Sequence, residues 1–262
     1  MKLILPDTIS NFISHAPLQA DDIGESPCAV YAFTRGNDRF FLKISPAAFA
    51  PTTYSVSREA AVLRWLAGRL SVPEVVATAE TDHGAFMITR ALPGDPLFTR
   101  IDAGKPVEGL FLEALRLVQA VPVAECPFDA GVFPRLTELD YLLAQGLAAE
   151  DIDLSPWPGL TGPEDLRAHL HATRPAEDSG EDPVFSHGDL GDSNILIDSR
   201  ETLHFIDLGR GGRADRWLDI AFLCRNLREE VSAEAEQAFL RQLGRPDAPD
   251  RRRFFEQLDE LF

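Results

Sequence analysis

Ser186-His187-Gly188-Asp189-Leu190-Gly191-Asp192-Ser193-Asn194, followed by Phe205-Ile206-Asp207-Leu208-Gly209, is the stretch on which the reading of this chain turns. Between and into these pieces run Ile195-Leu196-Ile197 and Leu203-His204-Phe205-Ile206, two apolar strand-like runs joined by Asp198-Ser199-Arg200-Glu201-Thr202. The segment therefore reads as a loop followed by a tight hairpin. It offers oxygen-bearing side chains from three points: Asp189 in the loop, with Asn194 and Asp207 at opposite ends of the hairpin. Phosphoryl transfer asks for this set, a carboxylate to orient and deprotonate a hydroxyl and hard oxygen ligands to hold magnesium against the phosphate. Asp189 is the candidate base; Asn194 and Asp207 are the candidate magnesium ligands. Asp and Asn are also common turn residues, but fixed positions at these separations argue against a merely solvated acidic loop.

The separations match the kinase pattern H-x-D-x-x-x-x-N followed by D-x-G. Gly188 stands where protein kinases carry Arg and Leu208 where they carry Phe, and both departures point away from protein substrates. A lysine for the nucleotide phosphates belongs upstream, aligned by a carboxylate. Lys43, late in a strand-like run, and Glu59, on the next helix, meet that need in the right order. Ser26, before the first strand, can offer its hydroxyl or N–H to a phosphate, although no G-x-G-x-x-G surrounds it. Phe41 has two readings, stacking on adenine or packing in a core.

Working outward, Ala29-Val30-Tyr31-Ala32-Phe33 and Arg39-Phe40-Phe41-Leu42-Lys43-Ile44 flank the turn Arg35-Gly36-Asn37-Asp38. Ser57 to about Leu70 has helical apolar spacing, and strand-like runs follow at Val75-Val76 and at Ala85-Phe86-Met87-Ile88-Thr89. Leu92-Pro93-Gly94-Asp95-Pro96 interrupts any ladder and is read as a hinge, dividing the chain into an N-terminal nucleotide-binding part (1–92) and a C-terminal catalytic and substrate-binding part (93–262). Beyond it helices are expected at 107–120, 136–149, 164–171, 215–230, 233–243 and 251–262, with a Pro-, Gly- and Asp-rich loop at 151–163. The class is α+β.

The chain has 262 residues, 45% of them apolar, and a net charge of −17. No apolar run approaches the roughly 20 residues that span a membrane, so a cytosolic protein is expected. Cys28, Cys126 and Cys224 are widely spaced, which argues against a disulfide framework or a zinc site. The acidity argues against a nucleic-acid partner, since phosphate backbones call for Lys and Arg. It permits a cationic substrate, because a negative field steers polycations inward.

The quoted segments, continued by Gly212-Arg213-Ala214-Asp215-Arg216-Trp217, Asp219-Ile220-Ala221 and the terminus Leu258-Asp259-Glu260-Leu261-Phe262, resemble the aminoglycoside 3′-phosphotransferases from about Ser26 to the end. The resemblance implies a bilobal protein-kinase-like fold, with a small N-terminal sheet lobe carrying one main helix and a larger, mostly helical C-terminal lobe. It further implies ATP with magnesium, and phosphorylation of a 3′-hydroxyl on a cationic aminoglycoside. By position it makes Asp189 the base, Asn194 and Asp207 the magnesium ligands, and Lys43 with Glu59 the phosphate clamp. Thr89 to Ala91 falls where the family holds adenine through its backbone. Glu229, Glu230, Asp259, Glu260 and the carboxylate of Phe262 fall on drug-binding positions. Arg210 falls on a position facing substrate or phosphates, though capping of nearby carbonyls is an equal reading. Asp219 and His187 are expected to brace the catalytic loop. One departure concerns the loop after the middle helices: Asp151 and Asp153 precede Leu154-Ser155-Pro156-Trp157-Pro158-Gly159-Leu160, where related enzymes carry a run of carboxylates. Two other readings stay open. One is a kinase of another small hydroxylated compound, such as a macrolide, choline or a sugar amine; the other is a non-catalytic nucleotide-binding module.

Overall fold

The computed structural model describes residues 3–21, 26–148, 152–175, 183–260 and 262; Asp151 lies outside them. Two compact units result, Met1–Pro96 with Asn194–Arg210, and Leu97–Ser193 with Gly211–Phe262.

The first unit opens with α1 (Asp7–Ile13), β1 (Gln19–Ala20), β2 (Ala29–Arg35), β3 (Asp38–Pro46), α2 (Val56–Leu66), β4 (Val75–Thr81), β5 (Gly84–Arg90) and β6 (Asp95–Pro96). Five strands form an antiparallel sheet in the order β1-β2-β3-β5-β4. Alternation along β3 sorts its side chains. Phe40 and Leu42 enter a core with Phe33, Phe86, Ile88 and, from α1, Ile9 and Ile13. Phe41 and Lys43, the residues that alternate with them, stand only partly buried on the opposite face. Helix α2 buries Val56, Ala60, Val62, Leu63 and Leu66, and with them Glu59. It ends before the expected Leu70, because Ala67 leaves helical geometry (ψ 122°) and Gly68 turns left-handed (φ +78°).

The second unit continues with α3 (Phe98–Asp102), α4 (Glu108–Gln119), α5 (Val132–Gln145), α6 (Pro163–Thr173) and β7 (Val184–Ser186). The chain then returns to the first unit for β8 (Ile195–Ile197) and β9 (Leu203–Phe205), and finishes in the second with β10 (Gly212–Ala214), α7 (Trp217–Glu230), α8 (Ala233–Gln242) and α9 (Pro249–Asp259). Helix α5 begins ahead of the expected residue 136, since Pro134 sits in a first turn where no intrahelical N–H bond is lost.

The placement of the β8–β9 hairpin differs from a division at 92/93. β6 pairs with β8, which pairs with β9. The Phe205 N–H donates to the Ser71 carbonyl at 2.9 Å, and Ser71 Oγ lies 2.7 Å from His204 Nδ1. Gly94 allows this: it has φ +103°, and a Cβ there would lie 2.5 Å from the Ile197 carbonyl oxygen. The Pro–Gly punctuation thus carries a strand that anchors the hairpin.

In the second unit β7 pairs antiparallel with β10, and α4 and α7 supply much of the core through Phe111, Leu115, Trp217, Ile220 and Leu223. An ion network joins α7, α8 and α9. Arg228 pairs with Glu256 at 2.9 Å and Glu236 at 3.1 Å, and Arg252 pairs with Glu236 at 3.0 Å and Asp247 at 2.8 Å. Burial pushes the Cys224 thiol up to about 12, so it remains a protonated, packing side chain. No disulfide links the three cysteines.

Candidate active site

In the first unit, Lys43 is the centre of charge. Its ammonium donates to both oxygens of Glu59, at 2.9 and 3.2 Å, and also to Asp207 Oδ1. Burial opposes the charge on Lys43, but Asp207 and then Glu59 outweigh it and hold the pKa above the ordinary lysine value. Burial pushes Glu59 the other way, above the usual carboxylate range, with Lys43 opposing. A carboxylate only 7% exposed on an apolar helix face is stable only when paired, and Lys43 is the pair. Lys43 and Glu59 are therefore paired, and the candidate magnesium ligand Asp207 joins them through the same ammonium.

The segment after Asp207 is fastened to the chain around α2. Arg58, next to Glu59, donates to the Gly209 carbonyl. Gly209 packs so closely that a Cβ would meet the Thr53 carbonyl at 2.6 Å, which explains the glycine of D-x-G. Arg210 donates to the Tyr54 hydroxyl at 3.1 Å and lies over its ring at 5.4 Å. Asp207 itself has φ +60°, a conformation that Asp tolerates better than most residues. The Ile206 N–H donates to the Asn194 carbonyl at 3.1 Å, closing the hairpin ends on each other. No cluster of three or more His, Cys, Asp or Glu fit to hold a metal occurs among the described residues. Magnesium needs only one or two protein oxygens beside phosphates and waters, a demand that an amide and a carboxylate fit.

The remaining nucleotide candidates lie in the same unit. Phe41 and Thr89 are register partners on β3 and β5, and the Arg39 guanidinium lies 5.0 Å over the Phe41 ring. The Arg90 N–H donates to the Glu74 carbonyl and the Ala91 N–H to the Arg39 carbonyl, both at 2.9 Å. Ser26 Oγ accepts the Cys28 N–H at 3.2 Å, while the Cys28 thiol donates to the Tyr54 carbonyl at 3.1 Å.

The second unit carries Asp189, half-buried in a loop braced from several elements. Asp219 on α7 accepts the His187 and Gly188 N–H groups, each at 2.9 Å. The buried Arg135 of α5 donates to the Gly188 carbonyl at 3.2 Å. Asn226, two turns after Asp219, accepts the Asp192 N–H at 3.1 Å, and the Asp192 carbonyl accepts the Leu97 N–H at 2.8 Å. Gly188 has φ +84°, so the chain can turn sharply just before Asp189. Burial raises the pKa of Asp192, and Glu230 adds to the rise against the lowering by Asn226. Asp219 holds the loop by its His187 and Gly188 N–H groups; Arg135 and Asn226 were not read from the sequence, where nothing local marks them.

The candidate substrate carboxylates divide into two sets. Glu229 and Glu230 are exposed at the end of α7. Asp259 and Glu260 already have partners: Arg225 binds Asp259 and lies 3.9 Å from Glu260, and Trp157 Nε1 donates to Glu260 at 3.2 Å. Burial raises the Glu260 pKa, Trp157 and Arg225 oppose that rise, and Asp259 and Asp153 reinforce it. The Phe262 N–H donates to the Asp259 carbonyl at 3.0 Å. Trp157, in the acid-poor loop, is the unforeseen member of this group.

A lysine clamped by two carboxylates and a braced H-G-D loop are parts of a phosphoryl-transfer enzyme. The family model described as the phosphotransferase enzyme family matches residues 23–255, and the chain belongs to that family. It is 40% identical to an aminoglycoside 3′-phosphotransferase of Acinetobacter baumannii, over 98% of this chain and 99% of that protein. Among solved structures, an aminoglycoside-3′-phosphotransferase of type VIII superposes with a TM-score of 0.80 at 30% identity, covering 98% of both chains. The aminoglycoside phosphotransferase APH(3″)-Id of Streptomyces rimosus, solved with ADP and streptomycin, superposes with a TM-score of 0.77 at 25% identity, over 97% of this chain and 95% of that one.

Proposed function

We infer that this protein is an ATP-dependent aminoglycoside 3′-phosphotransferase, transferring the γ-phosphate of ATP to a drug hydroxyl and so conferring resistance. The observation that carries the reading is Lys43 bridging Glu59 and Asp207 in a chain that keeps Asp189 and Asn194 and is 40% identical, end to end, to a relative of that name. A nucleotide-binding module without catalysis has no need of the base. Bound ATP and magnesium supply the phosphoryl group and neutralise the charge that develops on it. Lys43, kept charged by its two carboxylates, holds phosphate oxygens. Asn194 and Asp207 offer the metal an amide and a carboxylate oxygen. Asp189 takes the proton of the attacking hydroxyl, and Asp219, Arg135 and Asn226 keep its loop in place. Phe41, Thr89 and Ser26 line the nucleotide, and Glu229, Glu230, Asp259, Glu260 and the Phe262 carboxylate pair with ammonium groups of the drug. The exposed Glu229 and Glu230 suit a polycation and give a macrolide no apolar wall. A cytoplasmic setting follows from the need for ATP; no helix among the described residues is long and apolar enough to cross a membrane.

Purified protein incubated with ATP, magnesium and kanamycin, streptomycin, erythromycin or choline in separate reactions tests this. Phosphorylation of kanamycin, with the phosphate located at the 3′-oxygen by nuclear magnetic resonance, is expected. Turnover of erythromycin or choline with none of kanamycin overturns the reading. Asp189→Ala should lower kcat by about 1,000-fold, within the range of general-base catalysis, and leave ADP affinity unchanged.

A further inference from the structure

His204 is a buried polar residue, 7% exposed, in the middle of β9 and opposite Leu196 of β8. Its strand neighbours Leu203 and Phe205 are apolar and buried, so an imidazole there carries a desolvation cost that polar partners have to offset. Two partners meet it. Ser71, in the segment between α2 and β4, brings its hydroxyl to 2.7 Å from Nδ1. Asp198, the first residue of the hairpin turn, brings Oδ2 to 3.6 Å from Nε2, an electrostatic rather than a hydrogen-bonding distance. A carboxylate facing Nε2 calls for the proton on that nitrogen, which leaves Nδ1 to accept the Ser71 hydroxyl. Both partners are themselves held. Asp198 Oδ1 accepts the Arg200 and Thr202 N–H groups, each at 2.8 Å, and the Ser71 carbonyl accepts the Phe205 N–H at 2.9 Å. The Thr202 N–H, against burial, with the Arg200 N–H and His204 adding to it, holds the Asp198 carboxyl below the usual carboxylate range. The charge that faces Nε2 is thereby kept.

We propose that His204 is a positioning residue for Asn194 and Asp207, fixing through Ser71 and Asp198 the register of the hairpin that has these two side chains at its ends. The inference rests on the magnesium role proposed for them above. Strands β8 and β9 have three residues each, and a hairpin that short is marginal by itself. Asn194 lies two residues before Leu196, and Asp207 three after its cross-strand partner His204, so the middle of the hairpin sets where both ends fall. A slip of one residue would turn the side chains of a strand to its other face and break the match between an amide and a carboxylate meant for one metal. His204 opposes such a slip from two directions. Through Asp198 it is tied to the turn of its own hairpin, and through Ser71 to a segment more than a hundred residues earlier in the chain.

Isothermal titration of the full chain with ADP, with and without saturating magnesium, tests the proposal, because the ratio of the two affinities reads the metal's link to the protein without turnover. In the parent protein magnesium should tighten ADP. His204→Leu, apolar and of similar bulk, should cut that gain by about tenfold, the low end of what outer-shell partners contribute to metal affinity, and leave metal-free ADP affinity unchanged. His204→Asn, whose amide can still meet the Ser71 hydroxyl, should recover part of the loss. Ser71→Ala should cut the gain by about threefold, on the scale of one neutral hydrogen bond. A His204→Leu protein with the parent's magnesium gain, or one that loses metal-free and magnesium-bound affinity alike, would overturn the proposal. Should that variant fail to fold, Ser71→Ala decides, and an unchanged gain there overturns it. If magnesium does not tighten ADP even in the parent, the metal role of Asn194 and Asp207 falls, and this inference with it.

Discussion

The Lys43 cluster and the Asp259–Glu260 cluster are both knots of opposite charge, but they are built differently. Lys43 and Glu59 are largely buried, and Lys43 is the counter-charge of Glu59 while keeping Asp207 as a second partner; removing Lys43 leaves Glu59 stranded. Asp259 and Glu260 are shared between Arg225 and a neutral donor, Trp157, while Glu229 and Glu230 stand in solvent. On the proposed function, a triphosphate presents the same oxygens in every turnover, so the lysine that meets it can be held in one geometry. A drug class with varied ring substituents is better met by carboxylates whose partners can be exchanged.

The largest effect that could break this contrast is expected from Lys43→Met. It leaves Glu59 buried without a cation, costing about 3 kcal/mol of stability as broken buried pairs do. It should lower kcat/KM for ATP by at least about a hundredfold, a loss of transition-state charge stabilisation. Thermal melts and steady-state kinetics check both, and an unchanged melting temperature would mean that Glu59 is not held by Lys43. Arg58→Ala comes next. It removes the bond to the Gly209 carbonyl but touches no proposed ligand, so a drop in kcat of about tenfold, a higher magnesium requirement and partial rescue in Arg58→Lys are expected. Equal kinetics across a magnesium titration would show that α2 does not position Asp207 through this bond. The smallest change is expected from Trp157→Phe, which keeps the ring and deletes the donor to Glu260. Loss of one hydrogen bond to a carboxylate should alter KM for kanamycin by about threefold and leave KM for ATP unmoved. An identical KM for both substrates would separate Trp157 from drug binding.

The Lys43–Glu59 pair and the hairpin that has Asn194 and Asp207 at its ends could be read before folding, because phosphoryl chemistry fixes both residue types and spacings. The run Arg39–Ile44, flanking the turn at 35–38, also foretold the strand that carries Phe41 and Lys43. The hidden parts depend on distance along the chain. Arg58 reaches Gly209 and Arg135 reaches Gly188 across long intervals, and an arginine on a helix looks locally the same whether it braces a loop or faces water. Strands β7 and β10, three residues each, are too short to show a period. The helix expected from residue 136 starts at Val132, with Pro134 in its first turn. Trp157 stood in a Pro- and Gly-rich segment with no periodic neighbour to suggest that its indole meets a carboxylate near the chain end.

The hairpin from Asn194 to Arg210 belongs to the unit that begins the chain, so the polypeptide passes from one unit to the other at 96/97, 193/194 and 210/211. Neither half can be excised as one continuous gene fragment. A piece ending near residue 96 would lack the strand that pairs with Asp95–Pro96 and the carboxylate of Asp207 that shares Lys43. A split reporter, or a recombinant enzyme with one unit from each of two relatives, has to exchange two stretches at once.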